Sequence, residues 1–180
     1  MRVNRSLSWL LPCLVGCVDE ATDRPPREHS LVDHRLWERV EGADDPWHAD
    51  RPEDIETCGD TALIVEEWGD DVWLDLSTQR CAYVTVRQPL QADVPAGAEV
   101  SLRIWHFKLT EWEGIFHLAY QLGRSGPPEW SLEQEVPADS SLITDTWRAS
   151  RDYAAGDDLY FHLANHGDNS WSLLELVATY

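Results

Sequence analysis

The sequence predicts an all-β fold, an antiparallel two-sheet β-sandwich of jelly-roll type, over residues 57–180. Three observations point there. From residue 58 onward apolar residues almost never recur at helical spacing. Short apolar runs alternate with turn residues about every 8 to 14 positions. Within several runs, apolar and polar residues alternate strictly.

The expected strands are 62–66, 72–76, 81–90, 98–109, 115–122, 130–136, 141–150, 159–164 and 170–179. The turns between them carry Gly69-Asp70-Asp71, Pro95-Ala96-Gly97, Gly123 to Pro128, Pro137-Ala138-Asp139, Gly156-Asp157-Asp158 and His166-Gly167-Asp168-Asn169. Alternation sorts the faces. Leu159, Phe161 and Leu163 oppose Tyr160, His162 and Ala164, and Phe116, Leu118, Tyr120 and Leu122 oppose Ile115, His117, Ala119 and Gln121. The run 98–109 sets Trp105 and Phe107 against Leu102 and Ile104, which suits a central or bulged strand. We expect 98–109 and 115–122 to form a hairpin.

The chain starts differently. Arg2 and Arg5 precede an apolar run from Leu7 to Val15, too short to span a bilayer of about 30 Å as a helix. Those are the proportions of a secretory signal. The run ends in Leu14-Val15-Gly16-Cys17, which resembles the lipobox of bacterial lipoproteins. The resemblance implies cleavage of residues 1–16 and acyl chains (palmitate among them) on Cys17, a partner membrane, and a place in the cell envelope. Each buried methylene of such a chain contributes about 0.8 kcal/mol to holding a protein at a bilayer. Cys13 follows Pro12, where that motif has a small residue. Val18, in place of the aspartate that marks inner-membrane retention in Gram-negative lipoproteins, implies the outer membrane over the inner, facing periplasm or surface.

Residues 17–56 are acidic and punctuated by Pro25-Pro26, Pro46 and Pro52, so they read as a tether. Within it, the apolar positions 31, 32, 36, 37 and 40 suit a short amphipathic helix over 31–40. With Cys13 lost and Cys17 acylated, Cys58 and Cys81 remain, and an oxidising compartment predicts their disulfide.

Charge excludes some partners. The net charge of −19 becomes −21 once Arg2 and Arg5 leave with the leader. Such a surface repels phosphate backbones, which argues against nucleic acid. Ten tryptophans suit both β cores and sugar-stacking platforms.

Pro95-Ala96-Gly97-Ala98-Glu99-Val100 and Ala154-Ala155-Gly156-Asp157-Asp158-Leu159 share a turn-into-strand pattern. It resembles the strand entries of galactose-binding-like jelly rolls, the scaffold of many carbohydrate-binding modules. The acidic, Trp-rich composition is similar to that of lipoproteins of myxobacterial type. These resemblances imply a fold and bring no site residues.

His106, His117 and His162 each lie in an expected strand beside an aromatic residue. Were the expected hairpin to bring the first two together, a third imidazole would complete a zinc-type set. The other reading is three unrelated histidines, hydrogen-bonded or solvated. Asp70-Asp71 and Asp157-Asp158 sit in turns, where they solvate the chain or offer oxygen to calcium. Trp112 and Trp130, with His166, Asp168 and Asn169 in the last turn, are candidate ligand contacts. No nucleophile elbow, phosphate loop or dinucleotide fingerprint is present, and no catalytic residue is singled out. Three functions follow: a glycan- or protein-binding envelope lipoprotein, a metal-dependent hydrolase built on the histidines, or a structural envelope-interaction protein.

Overall fold

The computed structural model describes residues 25–51, 56–79, 81–165 and 169–180. Among these residues eleven strands form two antiparallel sheets. The first, sheet A, runs β3 (Leu63–Trp68), β4 (Asp71–Ser77), β11 (Ser170–Thr179), β6 (Glu99–His106), β9 (Ser141–Arg148), and β1 (Glu28–Ser30) adds to the far end of β11. The second, sheet B, runs β2 (Glu38–Arg39), β5 (Tyr83–Pro89), β10 (Asp158–Ala164), β7 (Leu109–Leu122), β8 (Trp130–Ala138). The sandwich expected from the alternation is therefore the fold.

Alternation also fixes the core. Val100, Leu102 and Ile104 of β6 and Leu173 and Leu176 of β11 meet Phe116, Leu118, Val86, Phe161 and Leu163 of sheet B, all buried. Trp171, wholly buried, lies between the sheets against Phe116 and His106. Each such side chain contributes about 1.5–3 kcal/mol on leaving water. The two turn-into-strand patterns form as their sequences suggest. Gly97 and Gly156 adopt φ of 81° and 92°, a region side chains with a Cβ avoid, and β6 and β10 start two residues later.

Two expectations need correction. Strands β6 and β7 do not form a hairpin. β6 pairs with β11 and β9, whereas β7 pairs with β10 and β8 in the other sheet. Val100, Leu102 and Ile104 of β6 face Phe116 and Leu118 of β7 across the sandwich, so the two strands share the core without pairing.

The segment 31–40 is also not an α-helix. It holds a 3-10 turn, His34–Leu36, between β1 and β2. Leu31 is buried in the core and its N–H donates to Leu176 O, while Val40 N–H donates to Thr85 O. Tertiary pairing thus outweighs the helical spacing. Residues 38–51 continue across the outer face of sheet B, where Val40 and Trp47 pack on Tyr83, Ala119 and Tyr160. Among the described residues no helix is long and apolar enough to cross a membrane.

Candidate functional site

The outer face of sheet A carries a groove of about 870 Å³. Strand register lays its floor out in rows. Asp75 of β4, Ser172 of β11, Trp105 of β6 and Leu142 of β9 pair in succession across the sheet. One step along lie Trp73, then Glu175 opposite Arg103, then Thr144. Trp73 and Trp105 are half-buried, and Phe107, at 58% exposure, stands edge-on to Trp105 with ring centroids 6.2 Å apart. β4 and β6 flank β11, so the two indoles stand about 10 Å apart in the pairing direction.

A bulge shapes the floor. The β11–β6 register shifts between Leu173 and Glu175, which leaves Leu174 as the extra residue. Leu173 and Leu176 remain inside, while Leu174 and Glu175 both line the groove side. His34 pins the bulge: its Nε2–H donates to Leu174 O at 3.2 Å, and its Nδ1 accepts from Trp37 Nε1–H at 3.3 Å. Both ring nitrogens are used by a neutral imidazole. Burial pushes the His34 pKa down, against the smaller opposing pulls of the Leu174 carbonyl and Asp33.

Charge in the groove is uneven. Arg103 is held by Glu175 at 2.9 Å and Arg35 by Glu67 at 2.7 Å. Asp70, Asp71 and Asp75 also line it, and none of them makes an ion pair among the described residues. Asp75 Oδ1 is buried and lacks a hydrogen-bond partner.

The three strand histidines do not converge. His106 points inward from sheet A, fully buried against Trp171 at 4.8 Å, with Nδ1–H donating to Phe107 O. His117 and His162 lie on the outer face of sheet B with ring centroids 5.3 Å apart. Failure of the β6–β7 hairpin separates His106 from this pair. His162 is itself only 2% exposed, stacked on Trp47 at 4.7 Å and 3.0 Å from Thr85 Oγ1 through Nδ1. Burial, aided by His117, lowers its pKa to about 3. Asp45 secures the cover by accepting from Tyr83 Oη–H at 2.7 Å and from Trp47 N–H at 2.9 Å. No group of three or more His, Cys, Asp or Glu among the described residues is arranged to hold a metal, zinc or calcium alike. The arrangement gives the metal-dependent hydrolase no support.

No protein-family model matches the chain, and no curated protein sequence does. Solved structures resemble it in fold. An arabinose-bound α-L-arabinofuranosidase aligns at a TM-score of 0.49 and 8% identity over 83% of this chain, which spans 26% of that enzyme chain. The family 11 carbohydrate-binding module of Clostridium thermocellum, in complex with a β-1,3-1,4-mixed-linked tetrasaccharide, aligns at 0.43 and 14% identity, over 86% of this chain and 96% of that one. The N-terminal cellulose-binding domain of Cellulomonas fimi β-1,4-glucanase C gives 0.43 and 13%, over 66% and 89%.

Other sequence candidates fall elsewhere. Trp130 is no loop platform. It is buried, its Nε1–H donates to Asp145 Oδ2 at 2.9 Å, and it stacks on Trp147 to close the β8–β9 edge. The expected strand does begin at Trp130, and burial of the indole, not the loop before it, decides its role. Asn169 is likewise buried, with Nδ2–H donating to Phe107 O and N–H to Thr78 Oγ1, so it braces the β10–β11 connection. Trp112 belongs to β7, with its side chain outside the described residues, as are His166 and Asp168 entirely. Cys17 also lies outside them. Cys58 and Cys81 form the expected disulfide. Sequence reasoning missed Trp73 and Trp105 as groove residues, although Glu99, Ser101, Arg103 and Trp105 share one parity and marked a solvent face.

Proposed function

We propose that this chain is an envelope lipoprotein whose sandwich binds a glycan along the outer face of sheet A. The observation that carries the reading is the pair of half-buried indoles, Trp73 and Trp105, set across an open groove with Asp75, Arg103 and Glu175 between and beside them. Flat aromatic faces stack on the C–H faces of sugar rings, and flanking carboxylates and guanidinium groups exchange hydrogen bonds with hydroxyls. The groove is open and long, as an oligosaccharide needs. The leader, with Arg2, Arg5 and Leu14-Val15-Gly16-Cys17, supports acylation of Cys17, and Val18 supports the outer membrane.

A glycan array with the acylation-free chain, followed by calorimetry on the best ligand, tests the groove. Trp105→Ala is expected to weaken binding about tenfold or more, the loss of roughly 1.4 kcal/mol of stacking, with the circular dichroism spectrum unchanged. An array without any bound saccharide, or a Trp105→Ala variant that binds normally, rules the groove out.

A further inference from the structure

The charge of the groove selects among glycans, and this step rests on the glycan reading just given. Five carboxylates line it, those of Asp33, Asp70, Asp71, Asp75 and Glu175, against the guanidinium groups of Arg35 and Arg103. Both guanidinium groups are already engaged, by Glu67 and Glu175. His34 adds no charge, since each of its nitrogens is committed as a neutral ring. The groove is therefore anionic within a chain already at −19, and an acidic polysaccharide would be repelled from it.

Asp75 gives the charge a focus. It sits in the same cross-strand row as Trp105, with Ser172 between them. Its Oδ1 is cut off from water, and the side chain makes no hydrogen bond or ion pair among the described residues. With one oxygen desolvated and unpartnered, the carboxylate carries a cost that a cationic donor reaching its groove-lining side would offset. An indole beside an unpaired carboxylate fits a ring that presents a C–H face to the one and an ammonium group to the other.

We propose that the groove recognises glycans bearing protonated amines, that is, 2-amino sugars with free amino groups. An N-acetylated or fully neutral chain offers the same stacking face without the charge.

The probes are a β-1,4-linked glucosamine oligomer and its fully N-acetylated counterpart, titrated calorimetrically into the full chain in mildly acidic buffer. The free-amine oligomer is expected to bind at least about tenfold more tightly, the scale of one charge-assisted hydrogen bond, and to weaken as salt is added. Asp75→Asn should remove that preference and leave the acetylated oligomer's affinity unchanged. Glu133→Gln, on the outer face of β8, should leave both affinities unchanged. Equal affinity for the two oligomers, a preference that survives Asp75→Asn, or an equal loss in Glu133→Gln overturns the proposal. If neutral oligosaccharides bind through Trp105 without any amine preference, the amine inference falls and the groove reading stands. If no saccharide binds at all, both fall.

Discussion

His162 makes the fold acid-sensitive by an amount that follows from its surroundings. The imidazole is sealed under Trp47, between Thr85, Tyr83 and His117. Around this cluster stand Asp45, already accepting from Tyr83 and Trp47, the Arg51 guanidinium over the Tyr83 ring, and Glu133, opposite His117 in the strand register. In the folded chain the ring protonates only near a pKa of about 3, against 6.5 when exposed. Below 6.5 the unfolded chain therefore takes a proton that the folded chain refuses, and stability falls as pH falls, at up to about 1.4 kcal/mol per pH unit until about 3. Between about pH 7 and pH 5 the loss is about 2 kcal/mol from this residue. His34, also lowered by burial, acts in the same direction. Urea titrations followed by tryptophan fluorescence at those two pH values measure it. His162→Phe keeps a flat ring under Trp47 and removes the titration, so its stability difference between the two should be about 2 kcal/mol smaller than the parent's. If parent and variant lose stability equally, His162 is not the acid-sensitive group.

The disulfide and the proposed anchor give two more expectations. Cys58 and Cys81 are separated by 23 residues, and replacing both with alanine should lower the unfolding free energy by roughly 3 kcal/mol, read from the urea midpoint at unchanged slope; an unchanged midpoint would show that the bridge adds nothing. Cys17→Ala should move the chain from the membrane to the soluble fraction and abolish fatty-acid labelling, and a variant that still sediments with membranes would remove the lipoprotein assignment.

Strand positions were legible because a half-buried strand writes its orientation into alternate residues. β10 and β11 are the clearest cases, and β11 runs over the expected residues 170–179. Sheet membership was not legible. The alternation of β6 states which face is buried, not whether β7 lies beside it or across from it, and the histidine cluster depended on that choice. The N-terminal segment was hidden for another reason. Acidic residues and prolines dominate its composition, while Leu31 and Val40 find backbone partners at Leu176 and Thr85, far along the chain. The groove was half legible. Trp105 shares parity with Arg103, but the bulge that turns both Leu174 and Glu175 outward arises from pairing that no local pattern records.

Strand β1 also sets how the protein can be cut. A fragment beginning at residue 57 would keep every long strand and still lose Leu31, Trp37, Val40 and Trp47, all buried. Vacating even two or three such sites costs about 2–5 kcal/mol each, comparable to the whole 5–15 kcal/mol that holds a domain together. It would also strip β11 of its neighbour along 177–179 and remove His34, whose ring holds the Leu174 carbonyl at the bulge. The residues between Cys17 and the first described strand are thus few, and what looked like a leash is mostly masonry.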